Sequence, residues 1–162
     1  PIIAPAEAYA HRVAEIKRFV STFKTKYPVE FIEGEYDPKK FYEIARGLED
    51  EKEGGKRCRK CFELRLGETA RLAKEMGFDY FTTTLTISPK KDEQVLNVVA
   101  KEQGAIYGVK ALPSDFKRKG GNKRSIELSA EYNLYRQNYC GCAYSKREAE
   151  EREAKKSEGA TP

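Results

Sequence analysis

This 162-residue chain has one histidine, only four cysteines and no long hydrophobic run, and each shortage excludes something. No stretch approaches the roughly 18–20 apolar residues that a membrane helix needs, and no positively charged leader precedes an apolar core, so the chain reads as a cytoplasmic protein with no membrane partner. The one histidine, His11, falls off the apolar stripe of its helix and reads as an exposed helix position rather than a catalytic base. No internal repeat suggests a solenoid. The chain is long enough to bury a core without crosslinks, and it reads most simply as one domain. In a reducing compartment its few cysteines therefore point to metal binding or catalysis rather than to structural disulfides.

What is present is organised around those cysteines. They form two close pairs, Cys58 and Cys61 in RCRKCF and Cys140 and Cys142 in NYCGC. Two pairs brought together by a fold can hold a metal ion or an iron–sulfur cluster, because four thiolates can converge on one centre. The same pairs could instead carry out dithiol chemistry. A net charge of +5 is modest but uneven, with Lys117, Arg118, Lys119, Lys123 and Arg124 crowded between Asp115 and Ser125. That local excess suits a polyanion better than a small neutral ligand.

Taken in order, the chain predicts alternating helices and strands. Tyr9, Val13, Ile16, Val20 and Phe23 recur at helical spacing after Pro5, a residue suited to a first turn. Val29–Ile32 reads as a short strand and Pro38–Leu48 as a helix. Gly54-Gly55 marks a loop, which places Cys58 and Cys61 at a loop-to-helix junction with Gly77 as the end cap. A helix start supplies backbone amides and a positive dipole end that favour a thiolate. Phe78–Leu85 carries the strongest strand signal and is expected to be central. Ser88, Lys90 and Lys91 follow it in a loop, the position at which α/β sheets hold ligand-binding groups, although a solvated turn uses the same residues. A helix with Val95, Val98 and Val99 inward comes next, then a strand over Ile106–Leu112 and a helix over Ser125–Asn133 with Ile126, Ser129 and Tyr132 inward. Tyr135, Arg136, Gln137, Asn138 and Tyr139 cluster before the second cysteine pair, a mixture able to stack on an unpaired base and bond its edges, or simply to pack. The tail 146–162 reads as a charged helix, paired Glu148 to Arg152 and Glu151 to Lys155, with a disordered end.

The ordered set GGKRCRKCFELRLGETA, GFDYFTTTLTISPKK, LPSDFKRKGG and LYRQNYCGCAYS closely resembles the QueH family, the iron–sulfur epoxyqueuosine reductases of bacterial tRNA modification. The resemblance runs from PIIAPAEAYAHR to Ser145. It implies one α/β domain over residues 1–145, a Rossmann-like three-layer sandwich of the adenine-nucleotide hydrolase (HUP) type with a mostly parallel sheet. The implied activity is conversion of epoxyqueuosine to queuosine at the wobble position of the tRNA anticodon, the last step of queuosine biosynthesis. By the same resemblance Cys58 and Cys61 are ligands of a 4Fe-4S cluster and Cys140 and Cys142 a redox-active pair. An additional iron is a further cofactor it leaves open, and the electron donor and oligomeric state are unspecified. The family's adjacent cysteine pair on an opening strand has no counterpart here, and the lack of an initiator methionine favours a fragment over a natural short form. Lys90, Lys91, Lys117, Arg118, Lys119 and Arg124 are expected at tRNA phosphates, with Ser88 beside them. Tyr135, Arg136, Gln137 and Tyr139 are expected at the anticodon loop or the modified base.

Three other readings use the same residues. A non-catalytic RNA-binding module would close all four cysteines around a structural zinc. A thioredoxin-like protein would use Cys58 and Cys61 as its dithiol and leave the second pair idle. A disulfide-stabilised structural protein fits a reducing compartment least.

Overall fold

The computed structural model describes residues 4–158. The chain divides into two compact units, one of residues 1–42 with 129–162 and one of residues 43–128. In chain order the elements are α1 (Ala6–Thr22), α2 (Pro38–Ala45), α3 (Lys56–Glu75), β1 (Tyr80–Phe81), α4 (Glu93–Tyr107), β2 (Lys110–Ala111), α5 (Gly121–Glu131) and α6 (Ala143–Glu158).

The unit of residues 43–128 is built on β1, α4 and β2. Its strands pair in parallel, Tyr80 opposite Lys110 and Phe81 opposite Ala111, and parallel neighbours need a crossover element such as α4. Asp92 starts α4 by accepting from the backbone N–H groups of Gln94 at 2.8 Å and Val95 at 3.2 Å, which satisfies two of the donors a helix start leaves open. On α3, Cys58, Phe62, Leu66, Ala70 and Ala73 recur at three- and four-residue steps and meet Phe81, Leu96, Val99, Ala100 and Val109 in one core. Gly104 lets α4 approach β2: a Cβ there would stand 2.6 Å from the Val109 carbonyl oxygen and 3.2 Å from the Phe81 ring. Leu96 and Val99 are fully buried, and burying such side chains contributes roughly 1.5–3 kcal/mol each.

The two strands are far shorter than the sequence signals. Phe78–Leu85 contains only the strand Tyr80–Phe81, and its next two threonines turn their hydroxyls to backbone groups. Thr82 donates to the Leu112 carbonyl at 2.9 Å, and Thr83 accepts from the Leu85 N–H at 3.2 Å to begin a 3₁₀ turn over Thr84–Ile87. Side chains of this type compete with a ladder for the backbone. Ile106 and Tyr107 belong to the end of α4 rather than to the following strand, and Val98 is exposed while Leu96 takes the buried position.

In the unit of residues 1–42 with 129–162, α1 has the predicted start after Pro5. Its apolar stripe is only half-buried, and Ile16 is exposed. Val29–Ile32 is not a strand; Val29 and Ile32 are exposed, and the segment lies by α1 through a Lys17–Glu33 ion pair of 2.7 Å and a Tyr9 hydroxyl bond to the Gly34 carbonyl. Phe19, Phe23 and Tyr132 form an aromatic cluster with ring centroids 4.9–5.5 Å apart. In the unit of residues 43–128, Ile126 on α5 is exposed rather than inward. Within the tail, residues 146–158 are helical as part of α6, which has a buried face that includes Ser145 and Ala149. The disordered end expected for that tail lies outside the described residues.

Candidate functional site

Cys58 and Cys61 occupy the start of α3, both buried. Three residues apart on a helix, they share a face. Gly55 caps this helix without a side chain, and Glu51 substitutes by accepting from the Lys56 N–H at 3.2 Å. The preceding loop also directs a donor at the first thiol: the Gly54 N–H meets the Cys58 sulfur at 3.2 Å. That loop is anchored by Glu53, whose carboxylate pairs with the buried Lys91 ammonium at 2.6 Å.

Lys91 stands in the loop after β1 and joins a polar knot with the loop after β2. Asn97 and Ser114 exchange two hydrogen bonds of 3.0 Å, Ser114 meets the Thr86 hydroxyl at 3.1 Å, and Asn122 donates to the Ile87 carbonyl at 3.1 Å. Lys117 donates to the Lys91 carbonyl at 3.3 Å and ion-pairs with Glu93 and Asp115. The Lys117 ammonium bonded to Glu93 holds that carboxyl below its usual range, and Glu93 holds the Lys117 ammonium above its own. Both loops leave the carboxyl ends of parallel strands, the expected place for ligand-binding groups. Of the predicted basic residues, Lys91 and Lys117 are thus engaged inside the knot. Lys90, Lys119 and Arg124 are exposed, as is Arg118, which pairs with Asp115 at 2.6 Å. Ser88 ends the 3₁₀ turn and accepts from the Lys90 N–H at 3.3 Å.

Cys140 and Cys142 lie in the other unit, immediately before α6. Cys140 is half-buried and Cys142 buried. Gly141 between them has φ 124°, a conformation that side-chain-bearing residues rarely adopt. Its N–H donates to the Ser145 hydroxyl at 3.3 Å, and its carbonyl accepts from the Ala4 N–H at 2.9 Å. The Cys142 sulfur stands at the first position before the helix and accepts from the Ser145 N–H at 3.4 Å. Sulfur here does the work of an N-cap oxygen.

The segment leading to this pair is laced to α1 by residues that no motif singled out. Arg12 donates to the Gln137 side-chain oxygen at 2.5 Å and lies 4.7 Å over the Tyr135 ring. Glu15 accepts from the Tyr135 N–H at 2.5 Å, and Arg18 donates to the Tyr132 carbonyl at 3.1 Å. Their one signal was polar character at three-residue spacing on α1, from the edge of its apolar stripe to the far side. Tyr135 is exposed, with His11 edge-on at 5.5 Å. Arg136 is exposed and reaches the Ser129 hydroxyl at 3.1 Å. Gln137 donates to the Tyr139 carbonyl at 2.6 Å, and the Tyr139 hydroxyl donates to the Ala4 carbonyl at 3.0 Å. Beside the start of α6 a cavity of about 450 Å³ is lined by Tyr36, Phe41, Tyr42, Ala143, Lys146 and Arg147 among others.

The donor chemistry of Cys58 and Cys61 fits two thiolate ligands of an iron–sulfur cluster: two sulfurs on one helix face, with a backbone N–H directed at the first. Among the described residues no group of three or more His, Cys, Asp or Glu forms a set able to hold a metal ion. No helix among those residues is long and apolar enough to cross a membrane.

Comparison with known proteins places these residues in a lineage. A sequence profile described as Epoxyqueuosine reductase QueH matches residues 1–148. The protein named Epoxyqueuosine reductase QueH from Streptococcus pyogenes serotype M1 is 48% identical over 145 residues, covering 88% of this chain and 57% of its own. The protein of that name from Staphylococcus epidermidis is 46% identical over 149 residues, covering 90% of this chain and 63% of its own. The one from Thermotoga maritima is 34% identical over 157 residues, covering 95% and 80%. The chain thus spans about three fifths of the length of the streptococcal and staphylococcal relatives. Both cysteine pairs and both basic loops fall inside the matched region, and the chain belongs to the epoxyqueuosine reductase QueH family.

Proposed function

We propose that the chain acts in the reduction of epoxyqueuosine to queuosine at the wobble position of a tRNA anticodon. The observation that carries this reading is the family match over residues 1–148, which includes both cysteine pairs. The β1–α4–β2 unit is read as part of a Rossmann-like sheet of the HUP type, in a cytoplasmic enzyme.

Removing the epoxide oxygen breaks two C–O bonds, leaves a C=C bond and releases water, consuming two electrons and two protons. Two thiols passing to one disulfide release the same number of each. Cys140 and Cys142 supply that pair, and Gly141 gives the backbone the freedom to close a Cys-Gly-Cys disulfide, whose small ring makes it comparatively easy to reduce again. Cys58 and Cys61 would hold a cluster through their sulfurs, with Gly54 and the Glu53–Lys91 pair fixing the loop above them. A 4Fe-4S cluster there would deliver electrons singly, and an iron with an open position would polarise the departing oxygen.

The exposed cations Lys90, Arg118, Lys119 and Arg124 bind phosphates, while Lys91 and Lys117 order the loops that present them. Tyr135 and Arg136 face the anticodon loop, and Gln137 and Tyr139 shape the approach to Cys140. An external donor restores the dithiol.

Anaerobic purification followed by iron analysis, visible absorption spectroscopy and a single-turnover assay on epoxyqueuosine-containing tRNA tests the reading. Bound iron with broad visible absorbance and conversion of the tRNA are expected. A colourless zinc protein that leaves the tRNA unchanged overturns it.

A further inference from the structure

Ser145 is one of four buried polar or charged residues among the described residues, and it turns four hydrogen bonds back to the cysteine loop. Its hydroxyl oxygen accepts from the Gly141 N–H at 3.3 Å and from the Cys142 thiol at 3.4 Å, and the hydroxyl donates to the Cys142 carbonyl at 3.0 Å. Its own N–H donates to the Cys142 sulfur at 3.4 Å. A helix cap alone uses only the last of these bonds. Of the remaining three, one holds the Gly141 N–H between the two cysteines and two hold the thiol and the carbonyl of Cys142, while the Gly141 carbonyl is fixed by the Ala4 N–H at 2.9 Å.

The bond from thiol to hydroxyl exists only while Cys142 carries its hydrogen. When the Cys140 and Cys142 sulfurs join, two protons and two electrons depart, the Cys142 S–H is gone, and Ser145 loses that partner. The Cys142 sulfur must also turn toward Cys140, away from the Ser145 N–H that it caps. Both changes penalise the disulfide and leave the dithiol favoured.

We propose that Ser145 is the positioning residue of the redox pair, holding the Cys142 thiol at the start of α6 and thereby poising the pair toward its dithiol form. This rests on the reading of Cys140 and Cys142 as a redox-active dithiol. The partner in exchange is a thiol–disulfide couple of the glutathione class: the protein dithiol and one glutathione disulfide give the protein disulfide and two glutathiones.

The full chain, equilibrated anaerobically in glutathione buffers, acid-quenched and differentially alkylated, reports this pair alone, because cleavage after Arg136 and Lys146 releases both sulfurs in one peptide. For Ser145→Ala the disulfide-to-dithiol ratio at a given poise rises about fivefold, a midpoint lower by about 20 mV. Ser145→Thr, which keeps the hydroxyl, stays within about twofold of the wild type. A Ser145→Ala ratio within about twofold of the wild type overturns the proposal. The wild-type chain gives a second measurement independent of any variant's folding: hydrogen exchange at the Ser145 amide quickens about fivefold on oxidation, and exchange indifferent to oxidation overturns the proposal. Absence of any Cys140–Cys142 disulfide at every poise removes the dithiol reading and this assignment together. A pair that cycles normally without needing Ser145 removes this assignment alone.

Discussion

Cys58 and Cys61 sit inside the first turns of α3, three residues apart and both buried, whereas Cys140 and Cys142 stand before α6 with a glycine between them and one sulfur half-buried. The first arrangement fixes two sulfurs on one helix face and suits a ligand that must not move. The second leaves a backbone hinge between its sulfurs and suits a bond that forms and breaks. The residue type is the same; its position relative to the helix start separates the two proposed uses.

The sharpest way to break this contrast is to remove sulfurs from each pair. Cys58→Ser or Cys61→Ser should remove most of the bound iron, read by metal analysis and visible absorbance, and turnover should fall more than about a hundredfold. Cys140→Ser or Cys142→Ser should reduce turnover as severely while leaving iron content within about twofold. Iron lost equally from both sets of variants would erase the distinction.

Next in size is Lys91→Met, which leaves the Glu53 carboxylate without its buried ammonium partner. A loss of about 3 kcal/mol is expected by denaturant unfolding, with faster hydrogen exchange at Gly54 above Cys58. Lys90→Met, one residue away and exposed, should leave stability within about 0.5 kcal/mol and instead weaken RNA binding and flatten its salt dependence.

Gly141→Ala should cost about 1–2 kcal/mol because φ is 124° there, and it should slow disulfide closure. Arg59→Ala, between Cys58 and Cys61, should change stability by no more than about 0.5 kcal/mol. Equal effects from the two spacers would remove the case for a hinge.

The smallest effect concerns pH. The Glu93 carboxyl is held low by its bond to Lys117, so its contribution is present above the unfolded carboxyl range and lost as pH falls through the folded value. Lys117 is held high by Glu93, so its contribution is present below the ordinary lysine range and lost as pH rises through the folded value. Lys117→Met should therefore lower the unfolding midpoint slightly and evenly from pH 6 to 9, with the difference closing in acid.

The helices around both cysteine pairs were legible in the sequence because their signals are local. Gly54-Gly55 before an apolar periodicity gave the start of α3, and the Pro5 and Gly77 boundaries stood where expected. Strand length was not legible: Phe78–Leu85 has β-forming residues throughout, yet Thr82 and Thr83 use their hydroxyls against the ladder. Nor were the partners of Lys91 and Lys117. A run of basic residues does not reveal which of them meets Glu53 or Glu93, because those carboxylates come from distant parts of the chain. Ser145 was invisible for a related reason, since a serine three residues into a helix is unremarkable until its hydroxyl is seen to turn back.

The polar knot between the two strand-end loops has an entropic consequence. Asn97, Ser114 and Thr86 already restrict the loops that carry Lys90 and Arg118. Freedom surrendered during folding is not surrendered again on meeting an RNA, so the phosphate contacts proposed for these loops would lose less of their energy to ordering the protein. Cutting the Asn97–Ser114 clasp should therefore weaken RNA binding through entropy alone, although neither residue carries a charge to offer the phosphates.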